Sequence, residues 1–332
     1  MTGTKIIPPV NDSLGKTLPC ENKKSPLEMQ YHIPVMLHET LGLLDVKPDG
    51  VYVDCTLGGG GHSEKILKKL TTGTLVGIDR DGEAYDFAKS RLGKYPNFWA
   101  VKDSFHNFPA IMEQLGFSVI DGVLLDLGVS SHQIDSPERG FSYTKEGPLD
   151  MRMDTESKIT AAHIVNTYSE KKLAALLFEL GEERQAKKIA RLVCNERVIK
   201  KIETTTQLVS LVEKCVFSKG NHPAMRTFMA LRIAVNNELE PLAATIRSII
   251  SFLTKGGRIV TITFHSLEDR IVKNVFREAE NPCVCPRDIP FCACKKKPLL
   301  KNITKKPLLP TKSEICENPR ASSAKLRGAC RI

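Results

Sequence analysis

The chain has 332 residues, of which 41% are apolar and 26% charged, and its formal net charge is +10. These values are ordinary for a soluble protein with room for one large domain or two modest ones. No apolar run approaches the roughly 20 residues that a membrane-spanning helix needs, and the first residues lack the apolar stretch of a signal peptide. We therefore expect a cytoplasmic protein that does not contact a membrane.

The positive charge is concentrated near the C-terminus. Residues 281–332 contain twelve Lys or Arg against three acids, a balance of +9. Such an asymmetry favours a polyanionic partner, for which nucleic acid is the usual candidate. A solvated basic tail is the alternative, and charge alone leaves both open.

The main signal comes after a segment without periodicity, residues 1–29, which we expect to be a flexible tail. A β-branched run ends at Asp54, glycines occupy 58–61, and apolar residues then recur at helical spacing up to position 70. A second apolar run ends at Asp79. Glycine allows the backbone to approach a ligand closely, and a carboxylate after the second strand can accept two hydrogen bonds from a ribose diol. This pattern predicts a βαβ unit that binds an adenosine-type cofactor.

The same alternation continues with predicted strands at 97–102 and 122–126. Phe105 follows the first of these, where it could lie against an adenine ring or serve as a plain core aromatic. Asp126 ends the second, so Asp54, Asp79 and Asp126 all follow apolar runs. Since the ends of parallel strands line a ligand crevice, we expect the three acids to face one crevice.

Residues 136–222 lack this alternation and have helical apolar spacing instead, so we predict an all-helical insertion there. A helix is predicted from Pro223, with an apolar stripe that continues to Leu253 and ends at the glycines 256 and 257. A strand at 258–264 follows, with His265 just past it, and short strands are expected around 303–309 and 323–330. The predicted domains are a first α/β part (30–135), the helical insertion (136–222) and a second α/β part with the basic tail (223–332).

The cysteines offer a separate signal. A chain of this length can build its core without disulfides. Four of the ten cysteines form two Cys-x-Cys pairs at Cys283, Cys285, Cys292 and Cys294. They could hold zinc or remain as thiols; because the usual zinc spacing is Cys-x₂-Cys, we favour thiols and no metal.

The glycine turn discriminates between cofactors. It lacks the Gly-Lys-Ser/Thr ending of a phosphate-binding P-loop, and it does not complete Gly-x-Gly-x-x-Gly, which argues against a nucleoside triphosphate and a dinucleotide. S-adenosylmethionine has no phosphate, and its ribose diol and amino acid end suit carboxylates and backbone groups. We therefore expect S-adenosylmethionine.

Seven short blocks resemble those of one known family. They are residues 54–63 (Asp-Cys-Thr-Leu-Gly-Gly-Gly-Gly-His-Ser), 78–81, 125–131, 138–142, 147–154 (Gly-Pro-Leu-Asp-Met-Arg-Met-Asp), 226–228 and 264–270. Together they resemble the MraW/RsmH family, which methylates N4 of a cytidine in the decoding region of bacterial 16S rRNA. The resemblance runs from about residue 31 to the end.

The resemblance implies an α/β fold of the class I S-adenosylmethionine-dependent methyltransferases, a Rossmann-like doubly wound sheet with a helical insertion. It makes 30–135 and 223–332 the two parts of the methyltransferase domain and 136–222 the substrate-recognition domain. It also implies 16S rRNA as partner, within the small ribosomal subunit. The implied cofactor contacts are Gly60, Gly61, His62, Asp79, Phe105, Asp126 and Gln133.

For catalysis we predict that Asp126 borders both the cofactor and the target amine, and that Asp150, Asp154 and His265 shape the cytidine pocket. Predicted substrate contacts are Ser130, Ser131, Arg152 and Arg226. Arg152 could instead form an internal ion pair that fixes a loop.

Other classes of function remain open at this point. A non-catalytic ribosome-assembly factor would keep the fold and bind RNA, although the intact glycine turn argues against it. A nucleotide-dependent oxidoreductase would need a different glycine spacing, and the residues alone do not exclude a DNA or protein substrate. The oligomeric state is open as well, with a homodimer as one alternative.

Overall fold

The computed structural model describes residues 34–217, 220–286 and 293–332. At its centre lies a seven-stranded sheet with strand order β3-β2-β1-β4-β5-β7-β6. The strands are β1 Val51–Asp54, β2 Thr74–Asp79, β3 Phe98–Lys102, β4 Ile120–Asp126, β5 Leu253–Thr263, β6 Leu300–Asn302 and β7 Lys325–Arg331. Neighbouring strands from β3 to β5 are parallel, whereas β7 is antiparallel to both β5 and β6.

Helices cover both faces of this sheet, and a further group lies between β4 and β5 in the chain. The helices are α1 Leu37–Leu44, α2 Gly61–Leu67, α3 Gly82–Leu92, α4 Phe108–Gln114, α5 Ser131–Asp135, α6 Ala161–Thr167, α7 Glu170–Gly181, α8 Ala186–Ile199, α9 Thr205–Glu213, α10 Met225–Asn236, α11 Leu242–Phe252, α12 Ser266–Glu280 and α13 Lys312–Glu317.

The central strands are buried on both faces, which explains their nearly continuous apolar runs. On β4, Val123 and Leu125 pack into the core beside α4, α11 and α12, whereas Leu124 faces the core beside α1, α2 and α3. The strand order and the helices on both faces confirm the class I methyltransferase fold predicted from the sequence.

The helices α6 to α10, which lie between β4 and β5 in the chain, have an apolar core of their own. It contains Leu173, Ile189 and Leu208, and α10 adds Phe228 and Leu231 to it. The last helix of this core, α10, therefore lies beyond residue 222, in the predicted second methyltransferase part. The division at residue 222 stays a prediction.

Three predicted elements differ from the structure. The single helix expected from 223 to 253 is wrong, because α10 ends at Asn236, the next residue Asn237 adopts the left-handed conformation (φ 46°), and α11 begins after Pro241. Asparagine tolerates positive φ, and proline has no N–H to continue a helix. Gly256 and Gly257 lie inside β5 rather than after a helix. The strand expected near 303 comes earlier, as β6, and Leu308 forms only an isolated bridge with Leu326.

Two expectations on environment can also be compared with the structure. Among the described residues, no helix is both long and apolar enough to cross a bilayer. Cys316 is disulfide-bonded, although a chain of this length can build its core without disulfides. The tail predicted at 1–29 lies outside the described residues.

Asn236 links α10 to the segment that carries the block at 147–154. Its Oδ1 accepts a hydrogen bond from Met153 N at 2.8 Å, and its Nδ2 donates to Met151 O at 2.7 Å. We expect Asn236→Ala to lower the free energy of unfolding by about 2–4 kcal/mol, since two buried backbone groups lose their partner. Urea titration of the variant measures this. Asn195→Ala, at an exposed position of α8, is the control, and an equal effect of both changes would contradict the assignment.

Candidate active site

A cavity lies at the carboxyl ends of β1, β2 and β4, where the loops that follow these strands converge. Seven residues singled out from the sequence line it: Gly61, His62, Asp79, Phe105, Asp126, Ser130 and Gln133. The prediction that these segments meet at one edge of the sheet is confirmed by their position. Their individual roles toward a ligand stay predictions.

The glycine turn is fixed to the end of β2. Gly58 has a φ of 50° and its N–H donates to Asp79 Oδ2 at 2.8 Å. Gly60 has a φ of 73°, and a Cβ there would lie 2.8 Å from the Leu92 side chain. Gly60 therefore allows α2 to begin close against α3. Gly60 is not among the residues that line the cavity, in contrast to Gly61.

Asp54 does not face the cavity, so the expectation of three acids in one crevice is wrong for this residue. Its Oδ1 accepts from Thr56 N at 3.1 Å and its Oδ2 accepts from Ser63 Oγ at 2.7 Å. The carboxylate thus holds both ends of the glycine turn. Burial raises the pKa of Asp54. The negative charge of Asp54 in turn helps to raise the pKa of Asp126, after the larger effect of burial.

Asp79 is bound on both oxygens by backbone amides. Oδ1 accepts from Asp81 N at 2.9 Å, and Oδ2 accepts from Gly58 N. Burial raises the pKa of Asp79 to about 6, although the two amides lower it. Each carboxylate oxygen has a second lone pair, so the group can still accept hydrogen bonds from a diol.

Asp126 is the acid with unsatisfied hydrogen-bonding capacity. Its backbone N–H donates to Thr56 Oγ1 at 2.6 Å, and its Oδ2 lies 3.6 Å from Nδ1 of His62. Its Oδ1 is buried and has no hydrogen-bond partner in the described part of the chain. Burial, together with the charges of Asp54 and Glu268, raises the pKa of Asp126 well above its usual range. A ligand that carries positive charge or a donor would relieve this cost.

The cavity is predominantly acidic. Glu238 and Glu268 join Asp79 and Asp126 in lining it, and Arg80 is the only Lys or Arg side chain among its described lining residues. Glu238 also accepts two hydrogen bonds from Arg232, both at 3.0 Å. The balance suits a ligand with net positive charge.

Sequence reasoning missed Glu238 and Glu268. Glu268 is the third residue of the helix capped by His265, and its Oε2 accepts from Phe264 N at 2.9 Å. That capping pattern was readable in the sequence. For Glu238, no sequence signal indicated that the turn after α10 reaches the cavity.

His106 is a further missed residue. Its Nδ1 lies 3.0 Å from Thr245 Oγ1, and that hydroxyl donates to Pro241 O at 2.9 Å. Nδ1 must therefore carry the proton and donate to Thr245, which leaves Nε2 as a buried acceptor without a partner in the described residues. Burial and the nearby Arg80 lower the pKa of His106 to about 4, so the ring is neutral. It packs on Phe105, with ring centroids 4.2 Å apart.

A second cavity adjoins the first, and both are lined by Val129 and Phe264. Two predicted site residues, Ser131 and His265, line only the second one. Its wall is rich in aromatic side chains and carries two guanidinium groups: Phe141, Tyr143, Phe228, Phe264, Arg232 and Arg320. Such walls suit a flat, partly polar molecule that can stack.

Five predicted site residues line neither cavity: Gly60, Asp150, Arg152, Asp154 and Arg226. Arg152 donates from Nε and Nη2 to Asp150, both at 2.7 Å, and from Nη1 to the carbonyls of Thr155 and Ser157. This is the internal ion pair that the sequence left open, and it fixes the loop. Asp154 Oδ1 accepts from Glu156 N at 2.9 Å. Arg226 donates to Glu182 O at 3.1 Å in an exposed position.

A buried ion pair holds the segments around the first cavity together. Arg139 Nη2 donates to Asp81 Oδ2 at 2.8 Å and to the carbonyl of Met153 at 3.1 Å. Gln133 Nε2 donates to the same Asp81 oxygen at 2.6 Å, while its Oε1 accepts from Ser130 N. Gln133 therefore positions the loop after β4 in addition to lining the cavity.

Proteins of similar sequence match this chain over almost its full length. A protein from Halothermothrix orenii named ribosomal RNA small subunit methyltransferase H is 52% identical over 309 residues, which are 92% of this chain and 99% of that protein. A protein of the same name from Clostridium botulinum (strain Kyoto / Type A2) is 51% identical over 90% of this chain and 98% of its own length. A solved rRNA methylase from Streptococcus thermophilus superposes with a TM-score of 0.38 and 10% identity, over 90% of this chain and 95% of that one.

The family comparison agrees with the sequence blocks. The model of the MraW methylase family matches residues 29–332, which include the whole sheet, both cavities and the helices between β4 and β5. The chain therefore belongs to the MraW methylase family.

Proposed function

We propose that this protein transfers a methyl group from S-adenosylmethionine to N4 of a cytidine in the decoding region of 16S rRNA, in the cytoplasm and on the small ribosomal subunit. The observation that carries the proposal is the junction of the two cavities at Val129 and Phe264, with the unpartnered carboxylate oxygen of Asp126 in the first cavity. The names of the curated relatives support the rRNA substrate.

The first cavity fits the methyl donor. S-adenosylmethionine supplies an electrophilic methyl group on a positively charged sulfur, and the acidic lining suits that charge. Asp79 would accept hydrogen bonds from the ribose hydroxyls, and Phe105 would lie against the adenine. Nε2 of His106 is an acceptor, which complements an exocyclic amine. Gly61 and His62 would contact the amino acid end.

The second cavity fits the acceptor base. A cytidine in folded RNA must leave its stack to reach a buried methyl group, and aromatic side chains are the usual platform for a splayed base. Phe141, Tyr143 and Phe228 supply such a surface, and Tyr143 and Phe228 are already in edge contact, with centroids 5.9 Å apart. Ser131 and His265 would address the polar edge of the base.

Asp126 has the chemistry that this acceptor needs. The lone pair of a cytosine amine is delocalised into the ring, so the amine is a poor nucleophile. A carboxylate that accepts a hydrogen bond from the amine would favour tetrahedral nitrogen and take up the proton that is lost. S-adenosylmethionine would supply the methyl group from its sulfonium sulfur, which would keep the electron pair of the broken S–C bond, while Asp126 would hold the amine. Alignment of the two partners supplies the remaining rate enhancement.

RNA would be held by exposed basic residues outside the cavities. Lys187, Lys188 and Lys200 on and after α8 are exposed, as are Lys295 and Lys296 in the C-terminal part. We propose the helical segment as the substrate-recognition domain. Its contacts to phosphates would make binding fall steeply with salt concentration.

Asp126→Asn tests the catalytic step. We expect kcat to fall by about 10²- to 10⁴-fold, since the amide neither takes up a proton nor accepts a charged hydrogen bond. Asp86→Asn, at an exposed position of α3, is the matched control and should leave kcat unchanged. Rates are measured as methyl transfer to small ribosomal subunits at saturating donor. A wild-type kcat in a folded Asp126→Asn protein would contradict the role.

The raised pKa of Asp79 predicts that binding of the methyl donor depends on pH. Its pKa of about 6 means that the accepting carboxylate form is lost as pH falls through 6, so affinity should weaken below that pH by at most tenfold per pH unit. Calorimetric titration with S-adenosylmethionine between pH 5 and 8 measures this. Asp79→Asn should bind about 10- to 100-fold more weakly at pH 7.5 and lack this component of the pH dependence. Equal slopes in both proteins would contradict the assignment.

Nucleoside mass spectrometry tests the substrate. Purified protein is incubated with S-adenosylmethionine and either small subunits or free 16S rRNA from cells that lack the gene, and the RNA is digested. We expect new N4-methylcytidine from a decoding-region fragment, with more product from assembled subunits. Methylation of another base or another atom would overturn the proposal.

A further inference from the structure

Three cysteine side chains meet in the segment between α12 and β6. The Sγ atoms of Cys283, Cys285 and Cys294 all lie within 4.8 Å of one another. The pairs Cys283–Cys285 and Cys292–Cys294 left zinc and plain thiols open from the sequence, and Cys292 lies outside the described residues. The structure brings the first pair, Cys283 and Cys285, together with Cys294 of the second pair, which lies nine residues further along the chain.

The described residues of this segment, 281–286 and 293–299, form no apolar core that could bring the thiols together. From 281 to 299 none of the described residues is buried, and Val284 is 68% exposed. Its ends are tied, because Leu299 N donates to Ala279 O at 2.8 Å and Glu280 accepts from the Asn302 backbone and side chain. Ordering these described residues costs conformational entropy that their own burial does not offset. In small coreless segments a metal ion commonly supplies the missing stabilisation.

The three sulfur atoms and their spacing indicate which metal ion would bind. Thiolates are soft ligands that favour zinc over magnesium or calcium. In a tetrahedral zinc site with bonds of about 2.3 Å, the sulfurs lie roughly 3.8 Å apart, which is compatible with the observed spacing. Lys295, Lys296 and Lys297 follow Cys294 directly and are exposed.

We propose that Cys283, Cys285 and Cys294 form a structural zinc site, with one further ligand completing the tetrahedron. The ion would fix the segment at the end of the sheet and present Lys295, Lys296 and Lys297 in a defined arrangement. This site is separate from both cavities and does not depend on the methylation proposed above.

Metal analysis of the full chain tests the site. Protein is purified under reducing conditions, without a metal-affinity step, from cells grown with added zinc, and its zinc content is measured by mass spectrometry. We expect about one zinc per chain in the wild type and in Cys194→Ser, a control cysteine on α8. Cys294→Ser and the double variant Cys283→Ser/Cys285→Ser should lose the ion. A wild type without zinc, or cluster variants that retain it, would overturn the proposal.

A second measurement guards against variants that fail to fold. Wild-type protein is treated with a zinc chelator, and limited proteolysis is followed across residues 281–299. We expect cleavage in this segment to increase on chelation and to be reversed by added Zn²⁺, while calorimetric binding of S-adenosylmethionine stays unchanged. Cobalt reconstitution should give thiolate-to-metal charge-transfer bands. Chelation without effect on cleavage, together with absent bands, would contradict the site.

Discussion

The buried ion pair between Asp81 and Arg139 is the interaction on which the candidate active site depends. Asp81 follows β2, and Arg139 lies beyond α5, so the pair joins the first half of the sheet to the chain after β4. Through Arg139 it also holds the carbonyls of Arg152 and Met153. Removing one partner of such a pair leaves a buried charge uncompensated, which typically costs about 3–5 kcal/mol. The shape of the cavity is therefore coupled to the stability of this contact.

The topology of the sheet explains which site residues could be predicted from the sequence. Asp79, Phe105 and Asp126 follow strands, and strand ends are readable from apolar runs and parallel topology. Glu238 and His106 reach the cavity only because α11 packs beside β4 and because α10 is capped at Asn237, where the chain turns. Their positions depend on tertiary packing, so no local pattern indicated them.

The block at 147–154 shows the opposite difficulty. Its alternation of polar and apolar residues suggested a substrate pocket, yet Asp150 and Arg152 bind each other, and Met153 is the member that lines the cavity. Asn236 and Arg139 hold this segment by its backbone. A distinctive sequence can therefore reflect the demands of a fixed loop as well as contact with a ligand. Only the three-dimensional partners separate the two.

The central claim is that the donor and the base occupy adjoining cavities that meet beside Asp126. A crystal structure of the protein with S-adenosylhomocysteine and cytidine monophosphate measures this most directly. We predict cytosine stacked among Phe141, Tyr143 and Phe228, with its amine directed through the junction at Val129 and Phe264 toward the sulfur and within hydrogen-bonding distance of Asp126. Cytosine bound outside the second cavity, or with its amine directed away from Asp126, would contradict the account.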